Sequence, residues 1–313
     1  MPLTSLAAVS AYLPAKSESI AEYLRAYGLS EREIKIYKQY YGFSEIRTDP
    51  DLGMAGQLIA AGRGLKELAG QEDRVRYILQ ARTMPVAVPY PLNPLHEARD
   101  ALGLRNAQAF SLNQQACASA LMSVELAGRM LAEDSEPDAL ALVFVGEKTF
   151  TTDAHVLGVT AVMGEGVAAI LVRAGAGRDR LLGFASRILG EFHRGSRMTP
   201  EDHERWADRY ADVLGGVITS ALDQAGMTPG DIDLVLPHHV NRLSWLKVLR
   251  TLQIGQKDRI FMDNLPVVGH CFGADAFINY CSARDSGRLK PGDRYVMTAV
   301  GLGATFSAMV FEH

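Results

Sequence analysis

An α/β architecture is what this chain of 313 residues predicts, because strand-like and helix-like stretches alternate along it instead of falling into separate blocks. Two further observations agree with it. Residues able to carry chemistry follow strand-like runs, and open α/β sheets hold their ligands at the C-terminal ends of strands. The chain also halves weakly. Ala139–Gly146 and Asp231–Pro237 are similar strand-like runs, each preceded by a helical segment, and Glu165–Val172 and Gly303–Phe311 share glycine punctuation followed by small and β-branched residues. The Gly-rich, turn-prone link Ala174–Asp179 predicts a boundary between an N-terminal half, 1–176, and a C-terminal half, 177–313.

Taken in order, the elements have local causes. Phe110 and Leu112 end an apolar strand, and Ala118–Leu131 then reads as a helix interrupted only by Gly128. Thr199-Pro200-Glu201-Asp202 is a helix start, with a capping hydroxyl, proline in the first turn and acids beside the positive helix end. Trp206, Tyr210, Val213, Leu214, Val217, Ile218 and Leu222 follow at three- and four-residue steps, and Gly226 stops that helix. A short strand, Ile232–Leu236, ends directly at Pro237-His238. Leu265-Pro-Val-Val268 reads as another strand-like run and leads into Gly269-His270-Cys271.

Composition bounds the function. Hydrophobic residues make up 48% of the chain, enough for a large core. A formal charge of −4 and an isoelectric point of about 6.1 argue against a nucleic-acid binder, which would carry a basic stripe. The first residues lack the charged region of a leader, no apolar run approaches the roughly 18 residues of a membrane helix, and no membrane association is expected. Three scattered cysteines without a framework suit a reducing cytoplasm.

Cys117 is the leading candidate nucleophile. It stands where a strand hands over to a helix, so the helix N–H groups and macrodipole favour the thiolate. Alone, such a cysteine is more often a small buried hydrophobe. What changes the odds is its combination with His238 and His270: a thiolate with two imidazoles is a workable acyl-transfer set. The three cysteines never form Cys-x-x-Cys and no His-x-x-x-His occurs, so zinc spacing is absent and no metal or resident cofactor is expected.

On these residues the chain resembles the thiolase superfamily, and within it the β-ketoacyl-acyl-carrier-protein synthase III group. Ala116-Cys117-Ala118 is similar to that group's nucleophile turn and His238-His-Val-Asn241 to its first histidine motif. Gly269-His-Cys-Phe-Gly-Ala274 stands at the place of its Asn loop. Gly301-Leu-Gly-Ala-Thr-Phe-Ser-Ala308 resembles its C-terminal Gly-rich turn, and Gly164-Glu-Gly-Val-Ala-Ala-Ile-Leu171 its Gly-rich strand. The motifs span nearly the whole chain, in order. The resemblance implies a thiolase-like fold of two pseudo-symmetric βαβαβαββ halves in five αβαβα layers.

The resemblance also implies roles. Cys117 takes an acyl group from an acyl-CoA or acyl-carrier-protein thioester, and its backbone N–H, with the Gly301–Gly303 turn, holds the oxyanion. His238 and His270 stabilise the enolate of a malonyl thioester in decarboxylative condensation. His239 points elsewhere and Asn241 supports the loop. Arg242, Lys247 and Arg250 receive an acidic carrier protein. The chain is expected to form a homodimer across its Gln108–Asn113 strand and to serve polyketide or fatty-acid-like biosynthesis.

Two departures widen the choice. The usual group has Asn where this chain has His270, and His can also act as a general base toward an alcohol, amine or thiol. No Trp stands near Ile34–Phe43, where the group grips the coenzyme A adenine. Tyr37, Tyr40 and Tyr41 there read either as stacking groups or as the core-packing end of a helix. Condensation is therefore the leading expectation. Simple transfer to an oxygen, nitrogen or carrier thiol, and a catalytically silent partner subunit, are the alternatives.

Overall fold

The computed structural model describes residues 4–85, 91–151, 154–157, 160–255 and 257–313. The first three residues, which figure in the expectation of no leader, lie outside it. Nine strands form one mixed sheet: β1 (Thr4–Tyr12), β2 (Val75–Ala81), β3 (Gln108–Leu112), β4 (Leu140–Val145), β5 (Val167–Ala174), β6 (Arg180–Ile188), β7 (Leu234–Leu236), β8 (Arg294–Gly301) and β9 (Thr305–Glu312). Their order is β7-β8-β9-β6-β1-β5-β4-β2-β3. Reading outward from the β6–β1 junction, the two sides repeat one plan, including parallel β2–β4 and β7–β8 pairs and antiparallel β4–β5 and β8–β9 pairs. Among the described residues, the place that would match β3 in the second half holds only a parallel bridge from Val235 to Ile260. The junction itself is a single pair, Ser5 with Arg180. We propose that the Gly175–Asp179 connection between β5 and β6 is the seam between the halves.

Six helices cover this sheet: α1 (Met54–Arg63), α2 (Pro94–Ala101), α3 (Ser119–Ala132), α4 (Pro200–Gln224), α5 (Arg242–Thr251) and α6 (Asp275–Asp285). Side chains alternate across each strand, so one strand feeds two layers. Ala141, Val143 and Val145 of β4 meet α3 and α6, whereas Leu140, Leu142 and Phe144 meet α1 and α2. In the second half Tyr295 and Met297 of β8 face the same α3–α6 layer, and Val296 and Val300 face α4 and α5. Helices α3 and α6 thus sit between two half-sheets that are buried on both faces. This is the thiolase-like five-layer arrangement, and it explains the continuous apolar runs of the central strands.

Local chemistry places the elements where the sequence puts them, with one correction. Thr199 caps α4 by accepting the Asp202 N–H at 3.2 Å, and all seven apolar residues of its stripe are buried. Leu265–Val268, expected as a strand, is a single helical turn. Pro266 in that first turn lacks the N–H a ladder needs, and Gly269 at φ 83° ends it. The β-branched pair Val267-Val268 carries strand propensity that this context overrides.

Candidate active site

Cys117 lies in a 3-10 turn, Ala116–Ala118, between β3 and α3. Gln114 and Ala116 both take left-handed φ, 76° and 48°, which costs a non-glycine residue about 1–3 kcal/mol each. The end of β8 braces that turn. A Cβ on Gly301 would come 1.9 Å from the Gln115 carbonyl oxygen, so only glycine allows the two backbones to meet. Gly303, two residues on, has φ 124°. The thiol is buried at the wall of a cavity of about 370 Å³, which Thr83, His270, Phe272 and Tyr210 also line.

The loop bearing His270 is pinned by the other glycine motif. His270 N–H donates to the Val162 carbonyl at 2.8 Å, and Gly164 N–H donates to the His270 carbonyl at 3.0 Å. A Cβ on Gly164 would meet the Val268 oxygen at 2.0 Å, which is the reason for glycine there. So held, the imidazole turns Nε2 toward Cys117 Sγ at 3.6 Å and Nδ1 toward Asp275 Oδ2 at 2.5 Å. Asp275 opens α6 and also accepts the backbone N–H groups of His239 and Cys271, each at 2.6 Å. Burial opposes a charge on His270, but the Asp275 carboxylate and the sulfur outweigh it and hold the imidazole's pKa up to about 10. Burial likewise opposes ionisation of Asp275, and the neighbouring imidazoles pull its pKa well below the usual carboxylate range. Thr83 adds a hydroxyl that donates to Cys117 Sγ at 3.5 Å, and Glu147 fixes Thr83 by accepting its N–H at 2.5 Å.

His238 is placed differently. It is buried at the end of β7, its Nε2 shares a hydrogen bond with the Tyr210 hydroxyl and its Nδ1 faces Thr298 Oγ1 at 3.3 Å. Burial and the charge on His270 drive its pKa down to about 3, so it is neutral. Tyr210, not His238, forms the cavity wall. The structure therefore joins Cys117 to His270 and sets His238 behind a tyrosine. Asp275 and Tyr210 were not singled out for function from the sequence. Asp275 had one usable signal, an acid entering a helix five residues after a histidine, whereas Tyr210 was indistinguishable from its core stripe.

The remaining candidates fall as follows. His239 is enclosed, with Nδ1 to the Gly269 oxygen at 2.7 Å and Nε2 to Asn279 Oδ1 at 3.0 Å. Asn241 caps α5 through Ser244 N–H and donates to the Thr160 oxygen. Arg242, Lys247 and Arg250 are exposed on α5, and Arg242 is tied to the Gln39 carbonyl at 2.6 Å. Cys271 and Cys281 are buried thiols whose pKa values burial raises, that of Cys281 to about 12, so neither matches a reactive cysteine. Tyr37 is core, Tyr40 is exposed, and Tyr41 borders a second cleft. Among the described residues no group of side chains has metal-binding geometry, and no helix is long and apolar enough to cross a membrane.

The fold is the thiolase-like one, and the chain's relatives are named as acyl-transferring synthases. Residues 222–313 match the family model for the C-terminal part of 3-oxoacyl-[acyl-carrier-protein] synthase III. The β-ketoacyl-[acyl-carrier-protein] synthase III 3 of Streptomyces coelicolor is 24% identical over 97% of this chain and 95% of its own. Among solved structures, the 3-oxoacyl-[acyl-carrier-protein] synthase III of Aquifex aeolicus superposes with a TM-score of 0.84 at 19% identity, covering 99% of this chain and 100% of that one. ChlB3, described as an acyltransferase, superposes at 0.85 and 20% identity, covering 99% and 98%. The chain is thus similar to β-ketoacyl-acyl-carrier-protein synthase III proteins along nearly its whole length and shares their fold.

Proposed function

We propose that this enzyme takes an acyl group from an acyl-CoA or acyl-carrier-protein thioester onto Cys117 and passes it to an oxygen, nitrogen or carrier-thiol nucleophile, in polyketide or fatty-acid-like biosynthesis. The observation that carries this reading is the Cys117–His270–Asp275 relay, a nucleophile, a base and a group that orients the base, in hydrogen-bonding sequence. The Cys117 sulfur attacks the thioester carbonyl as a thiolate paired with the His270 imidazolium, whose Nε2 proton then goes to the departing donor thiol. The now neutral imidazole takes the acceptor's proton as the acceptor attacks the acyl-Cys117 carbonyl, and the Cys117 sulfur leaves. Asp275 stabilises the imidazolium at both steps. The backbone N–H of Cys117 and the Gly301–Gly303 turn receive the oxyanion, where each aimed donor is worth about 3 kcal/mol.

Decarboxylative condensation is the second reading, favoured by the names of the relatives. It requires donors for an enolate, and here one imidazole, His270, adjoins the sulfur while both ring nitrogens of His238 are engaged. An intact-mass screen with varied acyl-CoA and acyl-carrier donors, followed by product analysis with malonyl-CoA and with alcohol, amine and thiol acceptors, tests the choice. Transfer predicts an acyl-Cys117 that discharges to the acceptor without carbon dioxide. A β-keto product from malonyl-CoA would replace this reading by condensation.

A further inference from the structure

Two cavities meet at one pair of aromatic side chains. The catalytic cavity and a cleft of about 230 Å³ between α4 and α5 both border on Thr160, Trp206 and Tyr210. The cleft opens beside Tyr41, Asn241 and Lys247, away from the sulfur. Trp206 and Tyr210 stand one turn apart on α4, with ring centroids 5.7 Å apart, and both lean on Phe306 of β9, at 5.1 and 5.7 Å. The tyrosine ring is thus held in place by core packing, and its hydroxyl reaches His238 Nε2. Every polar atom of His238 beyond its N–H is engaged: Nε2 by Tyr210, Nδ1 by Thr298, and the carbonyl by the Trp245 indole at 2.9 Å.

We propose that Tyr210 is a specificity-determining residue: standing between the two cavities and holding His238 Nε2, it denies the catalytic cavity a second imidazole donor and commits acyl-Cys117 to transfer. This inference rests on the transfer reading above. Condensation would break the bond between the malonyl α-carbon and its carboxylate. Carbon dioxide would leave, the electron pair would remain as an enolate, and that carbon would bond to the acyl carbonyl as the Cys117 sulfur departs. The costly species is the enolate, and its oxygen needs hydrogen-bond donors aimed at it. A buried phenol is a suitable blocker, because burial keeps it protonated and it fills the gap with its ring while satisfying the imidazole with its hydroxyl. Removal of the ring would join the two cavities and expose His238 Nε2 to a substrate on the sulfur side.

The test measures carbon dioxide released per acyl-Cys117 formed, using malonyl-CoA labelled in its free carboxyl group and whichever acyl-CoA gives the fullest adduct. Wild type is expected to form the adduct with background release. Tyr210→Ala is expected to raise the ratio at least about tenfold, short of the roughly 10²–10⁴-fold that fully positioned catalytic groups contribute. The double variant Tyr210→Ala/His238→Ala is expected to return it to the wild-type value, which a purely structural role for Tyr210 would not do. Tyr210→Phe keeps the ring and frees Nε2, and a smaller rise is expected; it carries the test if Tyr210→Ala does not fold. Wild-type release equal to that of Tyr210→Ala, a rise that survives His238→Ala, or no rise in either single variant that folds overturns the proposal. Absence of any adduct in wild type overturns the transfer reading itself, and this inference with it.

Discussion

His270 and Asp275 are joined Nδ1 to Oδ2 at 2.5 Å across a helix entry, and that contact sets the direction of the other imidazole nitrogen. With Nδ1 held on the carboxylate, Nε2 faces the sulfur 3.6 Å away, where the imidazolium donates and the ring left after proton transfer accepts. The carboxylate is itself held by two backbone N–H groups, so the geometry is supported from the loop on one side and the β7 end on the other.

Asp275→Asn is therefore expected to lower acyl transfer by about 10²–10⁴-fold, because an amide can donate to Nδ1 and favour the wrong tautomer. His270→Asn is expected to lose a similar factor, since Asn accepts no proton at neutral pH. Single-turnover discharge of acyl-Cys117 measures both, with thermal melting to confirm folding. Undiminished discharge by His270→Asn would remove it as the base.

The same pair makes stability depend on pH in a stated direction. Burial works against the ionised Asp275, yet the imidazoles hold its pKa down to about 2. Its contribution is complete above the ordinary carboxylate value, about 3.9, and is lost as pH falls through the folded value. A shift of this size is worth on the order of 2 kcal/mol. His270 is raised, so its contribution is complete below about 6.5 and is lost as pH rises through about 10. Melting temperature against pH is expected to fall at both ends, and Asp275→Asn to flatten both limbs.

Labelling separates the three thiols. Cys117→Ala is expected to abolish the acyl adduct, whereas Cys271→Ala and Cys281→Ala keep it, because those two thiols are buried and their pKa values lie high. Peptide mapping of the adduct checks this, and an acyl group stable on Cys271 or Cys281 would refute it.

Among the described residues strand β3 pairs only with β2 and forms one edge of the sheet, the kind of edge a second copy can cover. We propose a twofold dimer there. Sedimentation is expected to show a dimer at micromolar concentration, and Phe110→Glu, at a half-buried edge position, to weaken it.

Lys247 borders the outer cleft and Arg250 lies on the same exposed face of α5, where an acidic carrier protein would meet them. Lys247→Glu with Arg250→Glu is expected to raise KM for a carrier-bound donor about tenfold or less, with the difference shrinking as salt rises. Equal effects on a carrier-free donor would argue against docking. Arg242 is left out of that pair because it holds the Gln39 carbonyl.

What the sequence determined by itself was whatever a few neighbouring residues encode. Thr199-Pro200 with its acids starts α4 within one turn, the three- and four-residue stripe from Trp206 to Leu222 sets its buried face, and Gly164 and Gly301 mark close backbone approach. The strand-to-helix position of Cys117 and the order of the motifs were legible for the same reason. Only the tertiary structure decided what the side chains do together. Val267 and Val268 carry strand propensity but follow Pro266 into a helical turn. Tyr210 reads as one more core residue until packing of α4 against β9 brings its hydroxyl to His238, 28 residues away. Asp275 gains its role because Gly164 lets the His270 loop seat against Val162, which aims Nδ1 at the entry of α6. Periodicity and capping are local, written in spacing along the chain. Hydrogen-bond partnership between buried groups is set by where whole elements stack, and no short stretch of sequence contains it.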